Sequence, residues 1–486
     1  MDNREKIAHL LRRFGFGASQ RELDELSKFS VEEAVNRLVD YEATDEQFPY
    51  TLAEFLMEKN GNVAVDAYRP AILWTLRMLL TRRPLQEKLT LFWHDHFAVS
   101  GTKVEFGPAL DIYLTSIRKH ANGNFRNLLG AMLRDPSMLI YLDNSLSAKG
   151  KPNENLGREL LELFTMGSGY TEQDIKEVSR ALTGRLTTFA VAEGKGKHIY
   201  EQIKECVLED RPMVGFAIYP DIHDSGEKTV LGEKGTFDDA QVLDILVKRP
   251  ETARNITTKL WSYFVYDKPE AKVQEELIKT YFDGGYDIKK ILKAMTQMDE
   301  FWSDKAQRKI VKSPADFVIP IARQLEIRDF VIAMRPKNPT PLAPANDIAL
   351  AVGYGLMLSM QLQGMQLLFP PNVGGWEWGD KWVNSATMTE RMKVAELLFG
   401  DDTDQRLAPH LANRIITEFT PKSPADVASA LNKIFDTGLP AEKLKLIEAA
   451  CSKEGGVDAL KEPKKASVLL KAACKLIYGA PEFQFC

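Results

Sequence analysis

The stretch NENLGRELLELFTMGSGYTEQDIKEVSRALTG, residues 153–184, contains two helical patterns in succession. Its apolar residues recur at the three- and four-residue spacing of a helix that buries one face. Gly167 ends the first helix, since glycine is favoured just beyond a helix C-terminus. Thr171 begins the second, because its hydroxyl can accept a hydrogen bond from the free N–H of Asp174 in the first turn. The stretch therefore predicts two amphipathic helices joined by a short loop.

Most of the chain repeats this helical spacing between start and stop signals. Ser30 followed by Glu33 is a capping box, and Pro84 suits the first turn of a helix. Residues 186–235 differ, because short segments rich in β-branched and aromatic residues alternate there with glycines, which is typical of strands. The sequence predicts a mainly α protein, a multi-helix globular array with one small β-containing insert around residues 186–235.

The chain has 486 residues, which is more than one ordinary domain requires. Composition divides it into five regions: a helical region with the HDH and GRELLELF motifs, the β-containing insert, a second helical region, a Pro/Asn-rich linker, and a C-terminal helical region with a tryptophan-rich loop. In that order, the predicted boundaries are 1–185, 186–235, 236–334, 335–347 and 348–486.

Charge and hydropathy argue against two classes of partner. The net charge is −5 and no basic stripe is present, so nucleic-acid binding is not expected. Residues 348–376 carry no charge, but glutamines crowd their second half, so we expect a buried core helix and no transmembrane anchor. The first residues lack the apolar core of a signal peptide, which predicts a cytoplasmic protein if the chain is complete as given.

Residues 91–101, LFWHDHFAVSG, place two of the seven histidines two positions apart in a predicted helix. Such positions point about 200° apart, so both imidazoles can bind one metal only where the helix ends or distorts. Glu87 lies two turns before His94 on the same face. The pattern predicts metal ligands at His94 and His96 and a catalytic carboxylate at Glu87. The alternative is a core histidine packed beside Trp93.

Two further motifs could complete such a site. Glu159 and Glu162 are three positions apart, so their carboxylates share a helix face and could bind one metal or act as acid and base. Held against apolar neighbours, one of the two should have a raised pKa. The alternative is a solvated face on which Arg158 pairs with Glu162. His223 could bind the metal with Asp224 orienting it, or both could belong to a polar hairpin turn.

Three of the seven tryptophans fall within residues 369–385, FPPNVGGWEWGDKWVNS. The glycines and prolines predict a loop, and flat rings in a loop could form a wall for a sugar ring or a peptide. The alternative is a plug that fills a helix junction. The predicted substrate-binding residues are Trp376, Trp378, Trp382, Asn384, Asp143, Asn155, Arg158 and Lys228.

Together these motifs resemble the bacterial DUF1800 family. HLLRRFGFGAS, LFWHDHF, YLDNSLS, the 153–184 stretch, HDSGEKTVLG and LFPPNVGGWEWGDKWVNS occur in the order seen in that family, from about residue 7 to the final APEFQ. The chain departs at Arg185, where a family member is expected to have tryptophan. The resemblance implies an extracytoplasmic protein, periplasmic or secreted, whose leader is not part of this chain. Members are often encoded beside a DUF1501 protein similar to sulfatases, which makes such a protein the expected partner.

The leading hypothesis is a metal-dependent, hydrolase-like enzyme that acts on an extracytoplasmic polymer, with a glycan as the preferred class. Mixed imidazole and carboxylate ligands suit zinc, manganese or iron, which would activate water. One alternative is a non-catalytic binding or scaffold protein with a DUF1501-type partner. Another is a metal-free site in which Glu159 and Glu162 cleave a glycoside. The predicted metal ligands are His94, His96, Glu159, Glu162 and His223, and the predicted catalytic residues are Glu87, Glu162 and Asp224.

Overall fold

The structure is a computed structural model that describes residues 1–191, 198–400 and 407–486. Across these three ranges 25 α-helices account for most of the chain, which confirms the prediction of a mainly α fold. The helices of the first half, α1 to α12, are Asn3–Arg13, Gln20–Leu26, Val31–Val39, Leu52–Leu56, Tyr68–Leu80, Pro84–His96, Gly107–His120, Phe125–Met132, Pro136–Tyr141, Glu154–Glu159, Glu172–Ala181 and Ile199–Leu208.

In the described residues after β4 the chain continues with helices α13 to α25. These helices are Asp239–Leu246, Pro250–Phe264, Ala271–Asp283, Ile288–Gln297, Pro314–Gln324, Ile327–Ala333, Asp347–Leu362, Ser385–Phe399, Leu407–Phe419, Pro424–Ile434, Ala441–Lys453, Gly456–Ala459 and Pro463–Gly479. Short 3-10 turns lie at Tyr41–Ala43, Asn144–Leu146, Pro220–Ile222, Asp299–Trp302, Gly379–Trp382 and Pro481–Gln484.

In the described residues the paired strands lie in the predicted insert and at its edge, and isolated bridges occur elsewhere. Strand β1, Arg185–Phe189, pairs antiparallel with β2, Val214–Ile218, and β3, Lys228–Val230, pairs antiparallel with β4, Glu233–Gly235. The segment HIYEQIKECVLED, which its composition placed among the strands, instead forms α12. Residues 192–197 of the insert lie outside the described residues.

Side chains from nearly the whole chain pack into one hydrophobic core. This core extends from Ile7 in α1 to Phe483 beyond α25, so the helical regions before and after the insert share it. A smaller cluster beside it joins Leu56, at the end of α4, to Ile203 and Cys206 of α12. Burial of this apolar surface is the main contribution to stability.

Helix α6, Pro84–His96, runs through the middle of this core. Pro84 occupies the first turn, as predicted, where its missing N–H costs nothing. Each residue from Leu85 to His94 is buried, so the helix carries polar side chains into the interior on several faces. A helix buried all round must supply a partner for each such side chain. The helix ends at His96, where its last turn meets α14.

Helix α10, Glu154–Glu159, continues directly into a π-helical turn, Leu160–Phe164. A π turn replaces the regular i to i−4 bonds by longer ones and is frequent at functional sites. The chain then ends the helix with the N–H groups of Met166 and Gly167, which both donate to the carbonyl of Leu161. Gly167 has φ +75°, the left-handed conformation that the sequence predicted at this helix end.

Helix α19, Asp347–Leu362, is buried on one side only. Met357 and Met360 face the core, whereas Tyr354 and Leu362 are about half exposed, so the expected buried core helix is buried on one face. None of the helices in the described ranges has the length and apolar character that crossing a bilayer requires.

Candidate functional site

A cavity of about 570 Å³ opens where the end of α6 meets α14 and the tryptophan loop. We call it the α6 cavity. Helices α1 and α17 and residues near the end of the chain close its other sides. The residues that line it are Arg12, Arg13, Lys88, Phe92, Asp95, His96, Thr258, Lys259, Ser262, Tyr263, Asp267, Lys309, Ile310, Val311, Asp316, Trp378, Gly379, Asp380 and Cys486.

Asp95, between the two histidines, connects α6 to the tryptophan loop. Its Oδ1 accepts a hydrogen bond from the backbone N–H of Trp376 at 2.7 Å, and its Oδ2 accepts one from the indole N–H of Trp378 at 2.6 Å. Gly375 makes this approach possible, because a Cβ on it would lie 2.2 Å from Oδ1. Burial raises the pKa of Asp95 to about 6, although these N–H donors and Lys259 act in the opposite direction.

His96 points from the last turn of α6 toward the π turn and α14. Its Nε2 lies 3.1 Å from the carbonyl oxygen of Phe164 and, since a carbonyl only accepts, Nε2 carries the proton. Its Nδ1 is then the acceptor for the Lys259 ammonium at 3.2 Å. Burial and the charge of Lys259 hold the pKa of His96 well below its usual range. Both ring nitrogens of the neutral His96 imidazole therefore already take part in hydrogen bonds.

Lys259 extends from α14 into the α6 cavity. Besides His96, its ammonium donates to the carbonyl of Leu163 at 3.2 Å, so the π turn supplies acceptors for both Lys259 and His96. Burial lowers the pKa of Lys259, and the charge of Asp95 acts against that shift. In the described chain no carboxylate lies within 4 Å of its Nζ, which leaves a deep positive charge with neutral partners.

His94 lies in an aromatic environment on another side of α6. The rings of Trp74, Tyr113 and Trp376 meet it edge-on at centroid distances of 5.4, 5.6 and 5.4 Å. Because the Tyr113 hydroxyl donates to the carbonyl of Phe97, His94 Nδ1 donates to that hydroxyl at 3.0 Å. Its Nε2 has no hydrogen-bond partner among the described residues, and burial lowers its pKa to about 3. This is the environment of a core histidine.

Glu87 is fully buried but does not reach the α6 cavity. Arg118 donates to both of its carboxylate oxygens, at 2.6 and 3.2 Å, and the indole N–H of Trp74 donates to it at 3.0 Å. A buried carboxylate paired in this way joins helices, since its charge is compensated and its acceptor sites are used. The structure therefore places Glu87 in an internal ion pair between α6 and α7.

Glu159 and Glu162 lie near the surface on the outer side of the π turn. Glu159 is half-buried, and its pKa is raised by burial and then by Glu162, as expected for a pair of carboxylates. Glu162 is exposed, and its charge, after burial, raises the pKa of Tyr170. The GRELLELF motif thus meets His96 through a backbone carbonyl, that of Phe164.

His223, Asp224 and Lys228 form a closed turn against α11. His223 Nδ1 lies 3.0 Å from the carbonyl of Thr183, and Asp224 accepts from Arg180 at 2.8 and 3.3 Å, which lowers its pKa to about 2. The Lys228 ammonium donates to the carbonyl oxygen of Asp224 at 2.6 Å. These contacts match the polar hairpin turn that was the alternative interpretation.

The other predicted substrate-binding residues are distributed over several sites. Trp378 alone lines the α6 cavity, whereas Trp376 and Trp382 are buried beneath it. Asn384 accepts from the first N–H groups of α20 as its N-cap. Away from the cavity, Asp143 pairs with Lys103 at 2.7 Å, Asn155 is an exposed residue of the first turn of α10, and Arg158 pairs with Glu172 at 2.9 Å.

The predicted ligand set does not fit a metal ion in this arrangement. Within residues 1–191, 198–400 and 407–486, no three His, Cys, Asp or Glu side chains form a group that could hold one. The hydrogen bonds explain why: Lys259 occupies His96 Nδ1, His94 is enclosed by aromatic rings, and Glu159 faces outward. The metal stays a prediction for elemental analysis, and we derive no chemical step from it.

Of the residues predicted from the sequence, His96 and Trp378 line the α6 cavity, whereas Asp95, Lys259 and Tyr263 line it without having been predicted. Asp95 lies between the two histidines that were predicted as metal ligands. The clue to its role was the presence of an acidic residue at an otherwise apolar helix end. Lys259 and Tyr263 lie in NITTKLWSYFVY, where a lone lysine among aromatic and apolar residues was the available clue. A charged side chain at such a position is costly unless it is paired or functional.

Fold and cavity together define a mainly helical protein with a cavity, lined by both charged and aromatic side chains, at the end of a buried helix. The chain belongs to the DUF1800 family, described as proteins of unknown function, whose family model matches residues 9–485. This match confirms the resemblance seen in the six sequence motifs. Neither a curated protein nor a solved structure matches the chain.

Proposed function

We propose that the α6 cavity is the active site of a hydrolase-like enzyme that works by acid–base chemistry on an extracytoplasmic polymer. The observation that carries this proposal is the pair formed by Asp95 and Lys259 on one cavity wall. The two groups line the same cavity but form no salt bridge with each other. The carboxylate can therefore accept a proton, and the ammonium can donate a hydrogen bond to a substrate oxygen. The carboxylates of the GRELLELF motif, which lie near the surface, and the internal ion pair of Glu87 offer no such arrangement.

The reaction would follow from these two groups. Asp95 takes a proton from a water molecule as the water oxygen bonds to the carbonyl carbon of an ester group on the substrate. The Lys259 ammonium donates a hydrogen bond to the substrate oxygen on which negative charge develops. The proton then passes from Asp95 to the leaving-group oxygen as the bond to that oxygen breaks. Each oxygen of Asp95 accepts one hydrogen bond from the tryptophan loop and retains a lone-pair direction for this task.

Aromatic side chains of the cavity favour a substrate with a ring face. Trp378 and Tyr263 both line it, with their ring centroids 5.1 Å apart and nearly perpendicular. One ring presents its face and the other its edge, and such rigid side chains lose little conformational entropy when a ligand binds. This arrangement suits the apolar face of a sugar. A glycan is therefore the polymer class that we propose.

Substitution of Asp95 tests the enzyme proposal. Wild type and Asp95→Asn are incubated with chromogenic glycosides, acyl esters and oligosaccharides from extracellular polysaccharides, and products are measured by mass spectrometry. We expect Asp95→Asn to lose about 100-fold or more of any turnover, since general-base groups contribute that much. The matched control is Asp380→Asn, a carboxylate at the exposed rim of the same cavity. Equal turnover by wild type and Asp95→Asn would overturn the assignment.

A second candidate function is a non-catalytic binding or scaffold protein. The observation that favours it is that both oxygens of Asp95 already hold the tryptophan loop, so Asp95 has a structural task as well. A DUF1501-type protein or a polysaccharide would then be a partner that the protein binds and does not convert. This candidate predicts that Asp95→Asn lowers the melting temperature and the affinity for the partner while wild type shows no turnover of any substrate.

A further inference from the structure

Charge in the α6 cavity is unevenly paired. Of its lining cations, Lys88 pairs with Asp316 and Arg12 pairs with Asp436. The three others are Arg13, Lys259 and Lys309, and in the described parts of the chain none of them has a carboxylate within 4 Å. The unpaired lining carboxylates Asp267 and Asp380 are exposed, so they lie at the rim with Lys309.

Among the lining charges that are buried or half-buried, Lys259, Arg13 and Asp95 have no ion-pair partner in the described structure. Arg13 is 2% exposed; it donates to the carbonyl of Ala306 and contacts Cys486 Sγ at 3.9 Å, and its Nε has no hydrogen-bond partner in the described structure. Burial lowers the pKa of Arg13 to about 10, while the charge of Cys486 acts in the opposite direction. Two such cations and one carboxylate that is already hydrogen-bonded therefore line the cavity beside the buried pair Lys88 and Asp316.

Lys259 has a donor left for a ligand. An ammonium group carries three N–H donors and no acceptor. Two of them are used, one for His96 Nδ1 and one for the carbonyl of Leu163, and both acceptors are neutral. These two bonds fix the Nζ on the cavity wall, so a ligand would meet a cation that is already positioned. Positioned and poorly solvated cations bind anionic oxygens more strongly than mobile surface lysines do.

We propose that the α6 cavity binds an anionic sugar, whose carboxylate or sulfate group is bound by Lys259. The ring of that sugar lies against Trp378, and Asp95 accepts a hydrogen bond from one of its hydroxyl groups. The proposal rests on the proposed function in naming the substrate class of the same cavity, but binding of the anion requires no turnover.

Calorimetric titration tests it with three probes that differ in one group: glucuronate, glucose 6-sulfate and neutral glucose. Wild type is expected to bind one or both anionic sugars at least about 10-fold more tightly than glucose, because a charged hydrogen bond is lost with the neutral probe. The tighter of the two anions identifies carboxylate or sulfate as the recognised group. Equal affinity for all three sugars, or no binding of any of them, would overturn the proposal.

Variants then assign the binding to Lys259. Lys259→Met should weaken binding of the preferred anion at least about 10-fold, whereas Lys309→Met, at the exposed rim, should leave it within about twofold. Unchanged binding in Lys259→Met would contradict the assignment. If that variant does not fold, the comparison of charged and neutral sugars in wild type still decides the substrate class.

Asp95→Asn separates this proposal from the proposed function. It retains Lys259 and should keep the preference for the anionic sugar over glucose, although loss of the Asp95 carboxylate should remove turnover. Anion binding without turnover in wild type would keep the anionic ligand and reject the enzyme. Turnover that depends on Asp95, with no preference for charged sugars, would keep the enzyme and reject the anionic ligand.

Discussion

Three consecutive residues of α6 have three different surroundings. His94 lies among aromatic rings, Asp95 borders the cavity, and His96 meets the π turn and Lys259. Successive side chains of a helix point about 100° apart, so residues adjacent in sequence at a buried helix end contact different parts of the protein. Of the three, only the middle one is both ionisable near neutral pH and adjacent to open space, since burial holds the pKa values of both imidazoles low.

Asp135 provides a test of how burial acts on a single carboxyl group. It caps α9 and accepts from the N–H groups of Ser137 and Met138 through Oδ1, but its Oδ2 has no partner in the described residues. Burial raises its pKa to about 7. The folded state therefore retains a proton that the unfolded state, with a pKa near 3.9, releases. Between these values, stability falls as the pH rises.

We expect Asp135→Asn to remove this loss. Asparagine caps a helix as well as aspartate does, and it carries no charge. The free energy of unfolding of Asp135→Asn minus that of wild type should increase by about 3 kcal/mol from about pH 4.5 to about pH 8, since each unit of pKa shift corresponds to about 1.4 kcal/mol. Urea unfolding at the two pH values measures this, with the exposed Asp221→Asn as control. A difference that does not change with pH would contradict the expectation.

At the scale of elements, the tryptophan loop is attached to α6 mainly through Asp95. Trp376 packs edge-on against His94, and Trp378 contacts Tyr263 and Trp382. Trp376 and Trp382 are buried and fill the junction, as a plug would, whereas Trp378 borders the cavity, where a wall for a substrate stays a prediction. The position of the loop therefore determines the shape of the proposed active site.

Alanine substitutions of two glycines in this loop separate backbone strain from steric conflict. Gly375 has φ +82° and its Cβ would collide with Asp95, whereas Gly379 has φ +74° and nothing within 4 Å of its Cβ. Gly379→Ala should cost about 1 kcal/mol of stability through strain alone. Gly375→Ala should cost about 2–4 kcal/mol and move tryptophan fluorescence to longer wavelength as the loop leaves Asp95. Chemical denaturation and emission spectra measure both, and equal costs would mean that the contact at Gly375 is not tight.

Local signals predicted the elements better than the site. The capping residues Ser30 and Thr171 and the end at Gly167 were correct, because caps depend on neighbours in sequence. The π turn at Leu160–Phe164 has no comparable local signal, and it is what turns backbone carbonyls toward His96 and Lys259. Which side chain of α6 lines the cavity is decided by this turn and by the tryptophan loop, about 280 residues away in sequence. A prediction made from short stretches of sequence cannot include contacts over that distance.

At the scale of the whole molecule, the α6 cavity is assembled from distant segments. Helices α1, α6, α14 and α17, the tryptophan loop and Cys486 all contribute to its wall. The lining pair Lys88 and Asp316 joins α6 to α17 in the interior, and Arg12 and Arg308 both pair with Asp436 nearby. Removing one partner of such a pair lowers the free energy of unfolding by several kcal/mol. These pairs therefore fix the relative positions of the helices around the cavity.

The last prediction concerns metal and the stability of the whole protein. A metal held by several ligands and present at about 1,000 times its dissociation constant adds about 4 kcal/mol to the free energy of unfolding, which a chelator would remove. Because the predicted ligands His94 and Glu159 have unrelated surroundings, we expect chelation to leave the melting temperature unchanged. His94→Ala should still destabilise the protein by about 2–4 kcal/mol, since it empties an aromatic pocket, while the half-buried Glu159→Ala should cost less than about 1 kcal/mol. Elemental analysis and calorimetry of the wild type and both variants measure this; a stoichiometric metal that both substitutions remove would restore the ligand set proposed from the sequence.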